Sequence, residues 1–345
     1  MTAIEVENIG EQNRTNDDVS VIMRGVAIVG IVMHNWLHLC GFAKENEYTF
    51  DIKNSLAFFN NIGIDGVAHT IADLISFIGW VGIFVFMFLS GYGLEKKYGS
   101  SNLKVGEFLF KQWKKLFFLM ILGVLSFVLK DLNRGGWKYL FSLTMLGNVI
   151  GNSLMPVGVY WYFGLTFEFY VLWLLLRKLN VWWLYAVGVL MLLIQALMID
   201  IEWCYYVKYN FVGWGQVFVI GMIAGRCLKN MAINDWWLPV IAIVGTTGIF
   251  LCNFNKWCWL VILPFLSVVV IWSVSRLMIE WKYSRMLGIW VGRLSPFLFA
   301  CHPIVRSLLL GESMANVNWT LKCLMYVAIT VILSIGYEKI YRKVV

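Results

Sequence analysis

Charge is what this chain has least of. Asp, Glu, Lys and Arg make up 14% of its 345 residues, against about 25% in an ordinary soluble domain. In their place, 60% of the residues come from Ala, Val, Ile, Leu, Met, Phe, Trp, Tyr and Cys. Water does not solvate so apolar a chain, which excludes a soluble enzyme, a disordered tail and a nucleic-acid binder. No Cys-x-x-Cys pair occurs among the seven cysteines (Cys40, Cys204, Cys227, Cys252, Cys258, Cys301 and Cys323). Neither a disulfide framework nor a zinc site is indicated, and a buried Cys is simply a small hydrophobe. Repeats, low-complexity tracts and Pro/Gly-rich linkers are also lacking, so one membrane domain over 21–345 is expected after a polar segment, 1–20. That segment is acidic (Glu5, Glu7, Glu11, Asp17, Asp18) and has neither the basic start nor the small-residue site of a cleavable signal. The first apolar run is therefore expected to stay as a membrane helix.

What is present is a series of long apolar runs. A bilayer core about 30 Å thick takes about 20 apolar residues per helix. Spans are predicted near 21–42, 77–95, 113–130, 159–176, 181–199, 211–228, 236–252, 257–275, 287–310 and 319–338. The 18 Trp and 15 Tyr suit two membrane–water interfaces. An eleventh stretch, 137–152, is short and broken by Gly147, Asn148, Gly151 and Asn152. With that stretch not crossing and the N-terminus inside, Lys96, Lys97, Lys104, Lys111, Lys114 and Lys115 fall on the cytoplasmic side. So do Arg177, Lys178, Arg226, Lys229, Arg276, Lys282, Arg285, Lys339, Arg342 and Lys343. If 137–152 crossed, every later loop would invert and the positive-inside bias would collapse. The expected fold is all-α: a polytopic bundle of about ten transmembrane helices with both termini cytoplasmic. The 137–152 segment then reads as re-entrant, since irregular backbone survives at membrane depth only where protein or water covers it.

Each ionisable group inside a span costs about 2.5–3.5 kcal/mol on insertion scales and is a functional candidate by default. These are Arg24, His34 and His38 in span 1, Glu168 in span 4, Arg293, His302 and Arg306 in span 9, and Arg226 near the inner end of span 6. For each, the plain alternative is an interhelical pair. From Arg24 to His34 a helix rises about 15 Å, which places a guanidinium near the cytoplasmic surface and an imidazole deep in the bilayer. The first can hold a phosphorylated anion and the second can move a proton. Proton or anion transport would suit the same pair.

Four elements then resemble a known family. They are Arg24-Gly-Val-Ala-Ile…His34, Gly82-Ile-Phe-Val-Phe-Met-Phe-Leu-Ser90-Gly91-Tyr92, Trp161-Tyr-Phe-Gly-Leu-Thr-Phe-Glu168-Phe-Tyr170, and Ser295-Pro-Phe-Leu-Phe-Ala-Cys-His302-Pro303. In order and position they resemble the bacterial acyltransferase-3 family of integral-membrane O-acyltransferases, over about residues 18–340. The resemblance implies a multi-pass protein of the bacterial inner (cytoplasmic) membrane. It also implies transfer of an acyl group, usually acetyl from acetyl-CoA, to a hydroxyl of a cell-surface glycan. Acyl-CoA enters as a donor substrate, not a resident cofactor, and membrane lipids are the other partners. The family's functional pair maps onto Arg24 and His34, with one departure: nine residues separate them here where ten are expected. On a regular helix that turns the pair from about 20° apart to about 80°, whereas His38 lies about 40° off the Arg24 face. His34, restored by a local helix irregularity, and His38 both stand as the base.

Acyl transfer to an alcohol needs a base for the hydroxyl and donors for the oxyanion. His34 is expected as that base or as a transient acyl carrier, with His38 sharing or replacing it. Glu168 orients an imidazole or forms an interhelical salt bridge. Arg24, Ser90 and Tyr92 are candidates for the CoA side, although Ser-Gly-Tyr also reads as close helix packing. His302 and Arg306 are candidates for the acceptor side; a helix-to-helix hydrogen bond and snorkelling are the alternatives. Asp65, His69 and Asp73 would share one face if 60–76 were helical, a face to hydrogen-bond a sugar or simply a solvated surface; they make a poor metal set, and no metal is expected. A rival reading is a transporter or flippase of a glycan or its lipid-linked precursor. It lacks a visible inverted repeat with paired broken helices. A structural partner in a glycan-assembly complex would leave Arg24 and His34 unexplained.

Overall fold

The computed structural model describes residues 3–47, 49–131, 133, 136–150, 158–200, 209–228, 235–310 and 318–345. Arg134, Gly151, Asn152, Glu202, Cys204, Lys208, Lys229 and Glu312 lie outside them. Among the described residues the chain is helical and has no strand. The α-helices are α1 (Ala3–Leu37), α2 (Ile52–Asn61), α3 (Val67–Ile78), α4 (Gly82–Tyr98), α5 (Val105–Lys130), α6 (Gly147–Ile150) and α7 (Trp161–Leu176). They continue as α8 (Val181–Met198), α9 (Phe211–Cys227), α10 (Trp237–Cys252), α11 (Lys256–Val261), α12 (Leu263–Glu280), α13 (Lys282–Leu309) and α14 (Trp319–Val344). Among the described residues, six stretches are long and apolar enough to cross a membrane: Asp17–Cys40, Val67–Tyr98, Val105–Lys130, Val181–Met198, Leu263–Glu280 and Trp319–Val344. Three shorter apolar helices, α7, α9 and α10, add to these. The 28-residue α13 has the length but carries Arg285, Arg293, His302 and Arg306 as well as Pro296 and Pro303.

Asparagine starts many of these helices. Asn180, Asn210, Asn255 and Asn318 each accept a backbone N–H from the first turn of α8, α9, α11 and α14, satisfying donors that a helix end leaves open. Asn255 and Pro264 also explain a correction to the eighth span. The run predicted at 257–275 is divided into α11 and α12, with Pro264 in the first turn of the second helix, where its missing N–H costs nothing. Within α13, Pro296 cannot bond the Gly292 carbonyl four residues back. The Ser295 hydroxyl donates to that carbonyl instead, at 2.8 Å.

The chain divides into two compact units, one of Met1–Phe86 with Met231–Ser295 and one of Met87–Asn230 with Pro296–Val345. In the first, α1 packs on α3 and α12, and α10 packs on α12. Glycines set the approach of α1 to its neighbours. A Cβ on Gly25 would stand 2.7 Å from the Gly288 carbonyl oxygen, and one on Gly79 would stand 2.6 Å from that of Gly30. Backbones this close need small residues at the crossing.

In the second unit α8 packs on α9, and α5 packs on α7 and on a 3-10 helix, Gly136–Thr144. That 3-10 helix, Met145 with φ 65° and the four-residue α6 make up the described part of the 137–152 segment. No continuous helix forms there. The end of α4 crosses α9 through Gly91 against the Phe218 carbonyl and Gly221 against the Phe88 carbonyl. An ion pair between the buried Glu95 and the part-buried Arg226 ties these helices together. Arg226 grips Glu95 with Nε and Nη2, both at 2.9 Å, and Trp173 Nε1 donates to Glu95 Oε1 at 3.0 Å. Arg226 also donates to the carbonyls of Arg177 and Leu179, so both charges are fully engaged.

Candidate active site

Helix α1 is unbroken from Ala3 to Leu37, so the local irregularity that would realign Arg24 with His34 does not occur. The two stay about 15 Å apart along the axis and about 80° apart around it. The irregularity comes later. Leu37 is the last α-helical residue, His38–Cys40 form a 3-10 turn, and Gly41 at φ 88° ends it. Four residues apart, the His38 and His34 rings stack at 5.4 Å with 16° between the planes. Leu37 keeps helical dihedrals, so His38 still follows on from α1 before the chain turns away at Gly41.

Beyond Gly41 the chain is pinned beside α3. The Ala43 N–H donates to Asp73 Oδ1 at 2.9 Å, and its carbonyl accepts from the Ser76 hydroxyl at 2.7 Å. Asn46 is wholly buried and holds the next residues. Its amide donates to Ser55 Oγ and Asn253 Oδ1, and its oxygen accepts from the Asp51 N–H and Asn54 Nδ2. Trp259 Nε1 donates to the Asn46 carbonyl at 2.8 Å. Asn46 is thus tied to α2, α10 and α11, while the carboxylates on either side of it, Glu45 and Glu47, reach the two histidines.

His34 is 1% exposed. Its Nδ1 lies 2.7 Å from the Ser76 carbonyl oxygen. A carbonyl only accepts, so Nδ1 carries the proton and the neutral ring keeps its lone pair on Nε2. Nε2 faces Glu47, with Oε2 at 3.7 Å, and His38 Nδ1 faces Glu45 Oε2 at 3.5 Å. One donor atom each of His34, Glu45 and Glu47 lie within 4.8 Å of one another. Burial alone would push the Glu45 carboxyl up. The hydrogen bond to His38 and the charges of His34 and His38 outweigh it and hold the group below the ordinary carboxylate range. Chemically, this is a buried imidazole with an oriented lone pair, and once it takes a proton a carboxylate and a carbonyl stabilise the imidazolium.

The acyltransferase-domain family model matches residues 21–338, nearly the whole chain. The chain belongs to the acyltransferase-3 family. No curated protein and no solved structure matches it. Family membership and the apolar helices together make it a multi-pass membrane acyltransferase.

The remaining candidates of this acyltransferase are placed as follows. Arg24 is exposed on α1, with Asp17 two turns earlier as the acidic charge acting on it. Glu168 lies in the second unit, where its Oε2 accepts the Phe211 N–H at 2.8 Å and caps α9, with Asn148 beside it. The carboxylates facing His34 and His38 are Glu47 and Glu45. Ser90 and Thr166 lie against the Tyr162 hydroxyl. The Tyr92 ring stacks with Phe88 at 6.2 Å, below Lys96 Nζ at 5.7 Å. His302 is fully buried in α13, its Nδ1 3.1 Å from the Leu298 carbonyl and its ring also near the Phe299 carbonyl that Pro303 leaves open. Arg306, one turn on, acts on His302 by charge. The shared face of Asp65, His69 and Asp73 does not form. Gly63 and Gly66, at φ 88° and 87°, make a turn between α2 and α3, leaving Asp65 outside the helix, while His69 packs on Phe42 at 5.5 Å.

Proposed function

We propose that this protein transfers an acyl group, acetyl in the simplest case, from acyl-CoA to a hydroxyl of a cell-surface glycan, with His34 as the general base. The observation that carries this reading is the His34 imidazole itself, held by the Ser76 carbonyl at Nδ1 and facing Glu47 with Nε2. In the reaction, Nε2 takes the proton of the acceptor hydroxyl as the oxygen attacks the thioester carbonyl. Glu47 and the Ser76 carbonyl stabilise the imidazolium. The tetrahedral intermediate then expels the CoA thiolate, which receives the proton from His34. A positioned base of this kind contributes on the order of 10²–10⁴ in rate. His38 with Glu45 is a second imidazole–carboxylate pair stacked on the first and is the alternative base.

Arg24, about 15 Å along the same helix, is assigned to a CoA phosphate. The bias of Lys and Arg between loops supports both termini lying in the cytoplasm, so that the donor enters from the Arg24 side. Ser90 and Tyr92 remain candidates for the donor path, and His302 and Arg306 for the acceptor side. Transfer of label from radiolabelled acetyl-CoA to a panel of glycans by purified, reconstituted protein tests the reading. His34→Ala and Glu47→Gln are expected to lower kcat, and Arg24→Ala to raise KM for acetyl-CoA. Folded wild type that neither binds acetyl-CoA nor transfers label refutes it. Full activity in His34→Ala with none in His38→Ala moves the base to His38.

A further inference from the structure

The group around His34 has a property that base catalysis does not require. It presents one imidazole nitrogen and two carboxylates to a common point. We propose that His34, Glu45 and Glu47 form a binding site for a first-row divalent transition-metal ion, with Zn2+ as the best-matched member. The ion takes the same Nε2 lone pair that acyl transfer uses, so metal binding and transfer exclude each other; this last clause rests on the function proposed above, and the site itself does not.

Three observations support the site. The donor atoms of the three residues lie within 4.8 Å of one another, and His34 Nε2 stands 3.7 Å from Glu47 Oε2. Donors on a tetrahedral ion with bonds of about 2.0–2.2 Å stand about 3.3–3.6 Å apart, so small side-chain shifts suffice. Second, the His34 Nδ1–H is held by the Ser76 carbonyl at 2.7 Å. That is the arrangement which fixes the tautomer and ring plane of a metal-bound histidine. Third, Glu45 has a side chain only 8% exposed and is paired at Oε2 with His38 Nδ1 at 3.5 Å, so a carboxylate held largely out of water stands beside the His34 ring. Two carboxylates beside the His34 ring, neither of them fully exposed, favour a cation between them. A proton fills that place during transfer, and a divalent ion fills it more fully.

The donor set selects the class of metal. Calcium and magnesium take oxygen ligands, whereas one imidazole with two carboxylates suits zinc and its neighbours. Three protein donors leave a fourth position open, as in zinc sites that keep an exchangeable ligand.

Zn2+ alone is the probe. Tag-free, detergent-purified full chain is stripped with chelator and titrated with ZnCl2 by calorimetry, and the bound metal is examined by X-ray absorption. One ion per chain in a shell of nitrogen and oxygen at about 2.0–2.1 Å, without sulfur at about 2.3 Å, is expected. His34→Ala and Glu47→Gln should each weaken binding on the order of tenfold or more, and His69→Ala should not. Glu47→Gln keeps the shape of the side chain, so a misfolded His34→Ala leaves the test intact. Absence of binding, a sulfur-containing shell, or affinity unchanged in both variants overturns the site. In the transfer assay, Zn2+ should inhibit wild type and chelator should restore it; zinc bound at the site without inhibition overturns the exclusion. A protein that binds zinc yet transfers nothing even when stripped of metal leaves the site standing and removes the acyltransfer reading, and transfer by a protein that binds no zinc does the reverse.

Discussion

The residue on which the site depends most for its shape is Asn46, which touches neither His34 nor His38. Replacing it with Ala removes four side-chain hydrogen bonds, two donated and two accepted. They are not equal losses. Asn54 Nδ2 keeps the Glu45 carbonyl, and the Ser55 hydroxyl keeps the Asn253 carbonyl. Asn253 Oδ1 is 1% exposed and loses its Asn46 donor, and the Asp51 N–H loses its acceptor. One buried group without a partner costs about 1–3 kcal/mol, and the vacated amide volume adds to it. Asn46→Ala should therefore cost about 2–3 kcal/mol. Asn46→Asp should be worse although isosteric. Its second oxygen would face Ser55 Oγ and Asn253 Oδ1, both acting as acceptors there, and would bring a charge into the same buried site. The assay is thermal unfolding followed by intrinsic fluorescence in one detergent, alongside acetyl transfer. Stability is expected to fall from wild type to Ala to Asp. Transfer in Asn46→Ala should fall on the order of 10²-fold, as for a displacement of about 1 Å near the reacting groups. An Ala variant with wild-type melting and turnover, or an Asp variant more stable than Ala, would refute the anchoring role.

Three more predictions test the frame around the site. Gly79→Ala places a Cβ 2.6 Å from the Gly30 carbonyl and 2.8 Å from His34 Cβ; α1 must yield, at about 1–3 kcal/mol, and transfer should drop while Gly93→Ala, which meets nothing within 4 Å, leaves transfer unchanged. Gly41→Ala has open space around its Cβ but keeps φ at 88°, so it should cost about 1–2 kcal/mol from backbone strain alone, and Gly41→Asn should recover part of that loss in the same melting assay. Glu95→Gln leaves the part-buried Arg226 without its charged bidentate partner and should destabilise by about 1–3 kcal/mol, read as lower melting temperature and yield; Glu107→Gln, in an exposed pair with Lys104, should change neither measurably.

The helices were legible because membrane and sequence impose the same length rule, so most of the ten predicted runs fall largely on a single helix, the run at 257–275 being the clear exception. The misreadings fall where length is not the constraint. The turn at Gly63 and Gly66 was invisible to an i, i+4 reading, because Asp65, His69 and Asp73 keep helical spacing whether or not the chain between them is helical. The division of 257–275 into α11 and α12 needed the Asn255 cap and Pro264 to be weighed as signals stronger than an uninterrupted apolar run. The glycine crossings at Gly25, Gly30, Gly79 and Gly91 carry no periodic signature and emerge only from which backbone each one faces.

For the site, the rule that found half of it hid the other half. Ionisable residues inside a span are costly, so cost singles out Arg24, His34 and Glu168 and directs attention to partners that are equally costly. A buried imidazole need not find its partner at its own depth. Glu45 and Glu47 sit in a loop just past the end of α1, where a carboxylate is cheap and attracts no notice, and a 3-10 turn with one left-handed glycine brings them back over His34. Glu168, the carboxylate that cost singled out, caps α9 by accepting the Phe211 N–H. The readable signal was there in Glu45-Asn46-Glu47: two acidic residues flanking an amide, seven and nine residues beyond His38, in a chain with 20 acidic residues in all. In a membrane enzyme, then, the search for a buried base should extend to the first loop beyond its helix. There the polar residue with the most hydrogen-bonding capacity, here Asn46, marks where the loop is fastened and so which neighbours can be aimed inward.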